Sequence, residues 1–421
     1  MSPARFGLLV ALSLGIGACA VNPVTGREEL SLVSGSEEIA IGERQYGPAQ
    51  QSQGGPYYLD PALQDYVRAV GNRLAANSDR QLPYEFVVLD NPVPNAWALP
   101  GGKIAVNSGL LLELHDEAEL AAVVGHEIVH AAARHGASQM SKGSLLGLGA
   151  ELLGIAGQQA GLGNLGGQAA QLGAGAWMAH YSRGAELEAD AYGMDYMVRA
   201  GYDPQAAVEV QETFVKLAAG GSSDFIGGLF ASHPPSQARV NANQRHVQNF
   251  ASGGSRNADA YQRATARLRQ DAPAYEAEKS ALAALERKDA RGAIKYLDRA
   301  IAIAPGAGRF WELRGHAHAR LQQWSDADAD FTAAINRNPG YYRHHLARGA
   351  LRFERKQYPE AQRDLEASRR LLPTPLASLY LGEIAQADGA TRQAEAYYRE
   401  AAADNGPVGQ LARQRLSAAS R

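Results

Sequence analysis

The 421-residue sequence contains a single cysteine, Cys19, so no intramolecular disulfide can help to hold the fold. It also lacks a charge imbalance. A net charge of −3 offers nothing to a polyanion, which excludes a general nucleic-acid binder and an electrostatic membrane clamp. Obvious membrane spans, which need about 20 consecutive apolar residues, are absent as well. What remains is the composition of a folded soluble protein, 45% hydrophobic and 20% charged. A chain of 421 residues is too long for one ordinary core, so two or three domains are expected.

The N-terminus has the layout of a secretory signal over residues 1–18: Arg5, an apolar run from Phe6 to Leu14, then Gly15, Gly17 and Ala18. Ile16-Gly17-Ala18-Cys19 resembles a bacterial lipobox, whose cysteine becomes the lipidated mature N-terminus. The plainer reading is an ordinary signal with a chance cysteine. Ala20 stands where an aspartate would favour inner-membrane retention in such lipoproteins. The expectation is therefore a periplasmic protein anchored through Cys19 to the inner face of the outer membrane.

Residues 19–55 read as an N-terminal lead followed by a helix. Ser34-Gly35-Ser36-Glu37 is a capping box opening that helix, which should end near Tyr46. Residues 50–58 read as a loop. Asp60-Pro61 starts a second helix, whose Leu63, Tyr66, Val67, Val70 and Leu74 keep helical spacing. Tyr84–Leu89 alternates as a strand, Gly101-Gly102 turns the chain, and Lys103–Val106 forms a short strand. Asp116 and Glu119 box the start of a helix running through His130 towards Arg134. Residues 143–175 are Gly-, Leu-, Ala- and Gln-rich with Glu151 the lone charge, and read as a mobile, partly helical flap. Helix returns from Tyr181 to Gly201, and residues 251–271 read as a linker.

The last third repeats itself. Ala281, Gly315 and Gly349 are 34 residues apart, as are Ala293, Ala327 and Ala361, and Pro305, Pro339 and Pro373. That period, with small residues at two fixed places and a closing proline, is the tetratricopeptide signature. The small residues belong where two antiparallel helices touch. Gly382 and Ala394 mark a fourth unit one residue out of phase. Four repeats over residues 272–407 and a tail at 408–421 are expected.

The chemistry concentrates at His126-Glu127-Ile128-Val129-His130. Two histidines four apart on a helix project from one face and can share a metal ion. Glu127 can reach a metal-bound water, whose pKa zinc lowers towards 7, and take its proton as it attacks a peptide carbonyl. Such a string arises by chance in roughly 1–2% of chains this long, as a surface helix with two solvated histidines. Here it lies in the apolar stretch Leu120–Ala133, where unpaired polar groups are costly. A third ligand is needed from elsewhere. Glu186 and Asp190 share a face of the later helix, so Glu186 could bind metal while Asp190 orients a histidine. Spacing alone leaves Glu186 one acid among several. Glu188 should be solvated, and His115, His135 and His180 structural or on the surface.

The chain resembles the HtpX/BepA-type zinc metallopeptidases, the family of the CAAX prenyl endopeptidases. The resemblance rests on Asn22-Pro23-Val24-Thr25-Gly26-Arg27, Asn95-Ala96-Trp97-Ala98-Leu99-Pro100-Gly101-Gly102, Gly125 through His130, Tyr181-Ser182-Arg183 with Glu186 and Asp190, and His233-Pro234 with Arg239. It covers about residues 22–245, although the family's HtpX branch has membrane spans that this chain lacks. It implies one Zn2+ held by His126, His130 and Glu186, with Glu127 as general base and Asp190 behind the ligands. For His233 it leaves three roles open: oxyanion stabiliser with Arg239, fourth ligand closing the site, or a loop cap before Pro234.

The expected fold is mainly α: a zincin-like α+β metallopeptidase domain with a small sheet (residues 56–250), then an all-α tetratricopeptide solenoid. The expected function is a zinc endopeptidase for quality control in the bacterial envelope. Asn95–Gly102 and Lys103–Val106 would supply an edge strand above the metal on which an extended peptide pairs. The repeats would hold unfolded or misassembled envelope proteins or the outer-membrane assembly machinery. A chaperone whose peptidase is normally shut is the alternative, suggested by the repeats, His233 and the flap. A metal-free scaffold would require all the ligands to be fortuitous.

Overall fold

The computed structural model describes residues 19–142, 181–219 and 232–419. The signal, the flap at 143–175 and His180 lie outside these. The described residues form two units: one takes the chain to Gly47 and again from Asp60 to Ala266, the other takes Pro48–Leu59 and everything from Arg267.

In the first unit, β1 (Cys19–Val21) and β2 (Glu28–Leu30) form an antiparallel hairpin, followed by α1 (Gly35–Ser52). Helix α2 (Pro61–Ala75) starts on Asp60, whose carboxylate accepts from the amides of Ala62 and Leu63, and its Leu63, Val67, Val70 and Leu74 face the core. Strands β3 (Glu85–Leu89), β4 (Ala96–Leu99) and β5 (Lys103–Asn107) make a mixed sheet in the order β3-β5-β4. Gly101 and Gly102 both sit at positive φ, +80° and +85°, which turns β4 back against β5. The sheet corrects one expectation. Lys103–Asn107 is the central strand, buried throughout and paired on both sides, and the end of the order falls to Ala96–Leu99.

After α3 (Ser108–Glu113), helix α4 (Glu117–Ala132) is buried at every position, with Asp116 capping Glu119. Helices α5 (Arg183–Arg199) and α6 (Gln205–Ala219) pack on it, and α7 (Gln237–His246) packs on those two. The expected linker at 251–271 is not one. Arg256 pairs with Asp116, Asn257 donates to Glu117, and the Tyr261 hydroxyl donates to the Leu111 carbonyl. These bonds seat α8 (Ala258–Ala264) on the first unit. No helix among the described residues is long and apolar enough to cross a membrane.

The second unit pairs α9 (Ala266–Glu286) with α10 (Ala290–Ile303), α11 (Gly308–Arg320) with α12 (Trp324–Arg337), α13 (Tyr342–Glu354) with α14 (Tyr358–Leu371), and α15 (Pro375–Ala387) with α16 (Thr391–Ala401). A side chain at Gly315, Gly349 or Gly382 would lie 2.7, 2.9 or 2.5 Å from Phe331, Leu365 or Tyr398, so the small residue of each first helix receives the large residue of the second. Every turn inside a pair passes through a left-handed residue at the same phase: Lys288, Gln322, Lys356 and Gly389. The tail is a further helix, α17 (Pro407–Ala419), with Ala412 buried and Val408 and Leu416 packed on the last repeat's core. Helix α1 runs past the expected end at Tyr46, and its last turn and the loop after it belong to the second unit: Gln51 bonds Gly340 and Tyr342, and the Tyr58 hydroxyl bonds Gly306 and Gly308.

Gly315→Ala should lower stability by about 1–3 kcal/mol through overpacking against Phe331. Gly47→Ala, whose added carbon meets nothing within 4 Å, should cause no loss. Circular-dichroism melts of both variants check this, and a wild-type midpoint for Gly315→Ala would contradict the contact.

Candidate metal centre

The site is built where two helices cross on glycine. A side chain at Gly193 in α5 would lie 2.9 Å from the His126 amide nitrogen, and one at Gly125 would lie 3.0 Å from the Gly193 carbonyl oxygen. Without side chains at this crossing the two backbones approach closely, and residues a turn away on each helix meet. His126 and His130 come from α4, Glu186 and Asp190 from α5, and His233 and Arg239 from the segment opening α7.

His126 Nε2 lies 3.0 Å from His130 Nε2 and 3.3 Å from His233 Nδ1. Glu186 Oε1 lies 3.0 Å from His233 Nδ1 and 3.4 Å from His130 Nε2. Ligand atoms of these four buried residues all lie within 4.8 Å of one another. The outward nitrogens are occupied: His126 Nδ1 is 2.9 Å from Asp190 Oδ1, and His130 Nδ1 is 2.9 Å from His135 Nδ1. That leaves lone pairs converging on a single point. Two further observations fit a cation there. Oε2 of both Glu127 and Glu186 is buried without a hydrogen-bond partner among the described residues. Three buried carboxylates, Glu127, Glu186 and Asp190, face one buried guanidinium, Arg239, an acidic excess that a cation would offset. Imidazoles with a carboxylate are a donor set that suits zinc.

The protonation states agree with this donor role. Burial holds His130 well below the ordinary imidazole value, hence neutral. For Glu186, burial pushes upward, but its contacts with His233, His130 and His126 outweigh it and keep the carboxylate ionised. Asp190 is likewise lowered, burial being overcome by Arg239 and His126. Burial raises Glu127, with His233 and His126 opposing, as suits a group that must accept a proton. His233 is pulled down by burial and up, on balance, by Glu127 and Glu186.

Arg239 spends its fork on carboxylates: Nε and Nη2 reach the two Asp190 oxygens at 2.7 Å, and Nη1 lies 2.8 Å from Glu186 Oε2 without making a hydrogen bond to it. The Tyr181 ring stacks on His130 at 3.9 Å. A cavity of about 30 Å³, room for a water, touches His126, Glu127, His233 and Arg239. His115 is 71% exposed and bonded to Glu119, away from the cluster. One expectation needs correction: Glu188 is not solvated but half-buried against Asn22 and His135. His135, expected to be structural or on the surface, is buried behind His130. Nothing in the local spacing marks these two, because their partners lie far along the chain. Gly125 and Gly193, glycines inside helices, are the sequence signal of this close backbone approach.

Gly193→Ala should force α4 and α5 apart, lowering both metal affinity and the melting midpoint. Gly184→Ala on the same helix, where the added carbon makes an ordinary 3.8 Å contact, should change neither. Chelator competition and thermal melts on the two variants check this. Wild-type metal affinity in Gly193→Ala would contradict the crossing as the site's foundation.

Residues 61–247, which contain the whole cluster, match peptidase family M48. The beta-barrel assembly-enhancing protease of Yersinia pestis is 35% identical over 192 residues, 44% of this chain and 39% of that protein. Mitochondrial metalloendopeptidase OMA1 of Schizosaccharomyces pombe is 32% identical over 227 residues, 52% of this chain and 63% of that protein. Metalloprotease YcaL of Escherichia coli (strain K12) is 29% identical over 196 residues, 46% of this chain and 70% of that protein. The chain spans about two fifths of the length of the assembly-enhancing proteases it matches. With a buried ligand cluster in place and the match running across it, residues 61–247 of this chain are a domain of peptidase family M48.

Proposed function

We propose that this protein is a zinc-dependent endopeptidase of the bacterial envelope whose resting site is closed. The convergence of His126, His130, Glu186 and His233 on one point carries the reading. His126, His130 and Glu186 would hold the ion, and His233 would close the set as fourth ligand. Zinc, when bound, supplies a Lewis acid that makes water more acidic and a peptide carbonyl more electrophilic. Glu127 lies beside the cluster to accept the water's proton and return it to the departing amine. Asp190 orients His126, and Arg239 holds Asp190 and Glu186 in place, which makes both positioning residues. With its donors turned to those carboxylates, Arg239 is better suited to this than to an oxyanion.

Four protein ligands leave no position for substrate, so turnover requires His233 to withdraw. An extended peptide would then pair with β4, at the end of the strand order and packed against α4. The repeat unit would hold unfolded or misassembled envelope proteins, or the outer-membrane assembly machinery, while Cys19 anchors the chain by a lipid. Relatives named for β-barrel assembly support that setting. The seated His233 also favours a second reading, a chaperone whose peptidase is opened only on demand.

Glu127→Gln should cut digestion of a denatured protein by about 10²–10⁴-fold while zinc stays at one per chain. Undiminished digestion would exclude Glu127 as the base. His233→Ala should digest severalfold faster than wild type, and a slower variant would contradict the plug and restore the oxyanion role. Full complementation of a deletion strain by Glu127→Gln would favour the chaperone reading.

A further inference from the structure

We propose that the turn between β1 and β2 braces the metal centre: Asn22, acting through Glu188 and His135, fixes the orientation of the His130 ring. The inference rests on reading the four-residue cluster as a metal site.

The hairpin turn is shaped so that Asn22 faces inward. Its backbone amide donates to the Arg27 carbonyl at 2.8 Å, and Gly26, at φ +70°, donates to the Asn22 carbonyl at 2.9 Å. The Asn22 side-chain oxygen accepts from the amides of Val24 and Thr25 at 2.9 and 3.3 Å. That use of the oxygen aims the amide nitrogen the other way, where it donates to Glu29 and to Glu188 Oε1, both at 2.9 Å. Asn22 is 1% exposed.

Each later link settles the next. Glu188 Oε1 also accepts from His135 Nε2 at 3.2 Å. A neutral ring that donates through Nε2 to a carboxylate presents a bare Nδ1. His135 Nδ1, 2.9 Å from His130 Nδ1, therefore accepts the His130 proton, and His130 Nε2 is left bare toward Glu186 and His126. One chain of hydrogen bonds selects both the tautomer and the ring angle of a ligand. His126 leans directly on Asp190, whereas His130 leans on an anion one ring further out, held by a residue 108 positions earlier in sequence. Asn22 and His135 are thus positioning residues that never touch substrate.

The test is metal affinity by competition with a chromogenic chelator on the full chain, with circular dichroism confirming the fold. Asn22→Asp keeps the oxygen that builds the turn but sets a carboxylate against Glu29 and Glu188. Glu188→Ala removes the middle link. Each should weaken zinc binding by about tenfold. The double variant should be no weaker than the weaker single, since both break one chain. Thr25→Ala loosens the turn by deleting the Thr25 hydroxyl that accepts from the Arg27 amide and should bind like wild type. Wild-type affinity in Asn22→Asp, multiplying losses in the double variant, or an equal loss in Thr25→Ala would each overturn the brace while leaving the metal site standing. A wild-type protein that binds no zinc would overturn the metal site and the brace together.

Discussion

The approach of α4 to α5 at Gly125 and Gly193 is the constraint from which the rest of the site follows. A HExxH helix alone offers two imidazoles and an open side. Bringing a second backbone to within a glycine's reach puts Glu186 and Asp190 opposite those imidazoles. The crossing also fixes where negative charge accumulates, which is why Arg239 is needed. Its guanidinium spans Asp190 and Glu186, and a divalent ion held there would offset the charge that remains.

Burial then sets the chemistry. Glu127, out of water and short of a partner for one oxygen, is a better base than a surface glutamate. Its neighbour His233 completes the buried ligand cluster and lies 3.5 Å from Glu127 Oε1.

Local patterns were legible wherever the cause was local. Caps at Asp60 and Asp116, the four-residue spacing of His126 and His130, and the 34-residue period all arise within one or two helical turns or one repeat. The left-handed turns of the repeats were not legible, because Lys288, Gln322 and Lys356 occupy a conformation usually marked by glycine. Nor was strand order: Lys103–Asn107 looks peripheral in sequence and is central because both β3 and β4 return to it. The tail's helix α17 was hidden because its partners lie on the last repeat. Asn22, Glu188 and His135 form one chain only after the fold joins residues up to 166 positions apart. The resemblance pointed to Asn22 without a reason, and its hydrogen bonds give one.

X-ray absorption at the zinc edge on the purified full chain tests the central claim most directly. The account predicts one zinc per chain, bonded to three imidazole nitrogens from His126, His130 and His233 and to one carboxylate oxygen from Glu186, with a histidine signal lost in His233→Ala. A spectrum lacking bound zinc, or one showing zinc coordinated by water without histidine, would contradict it.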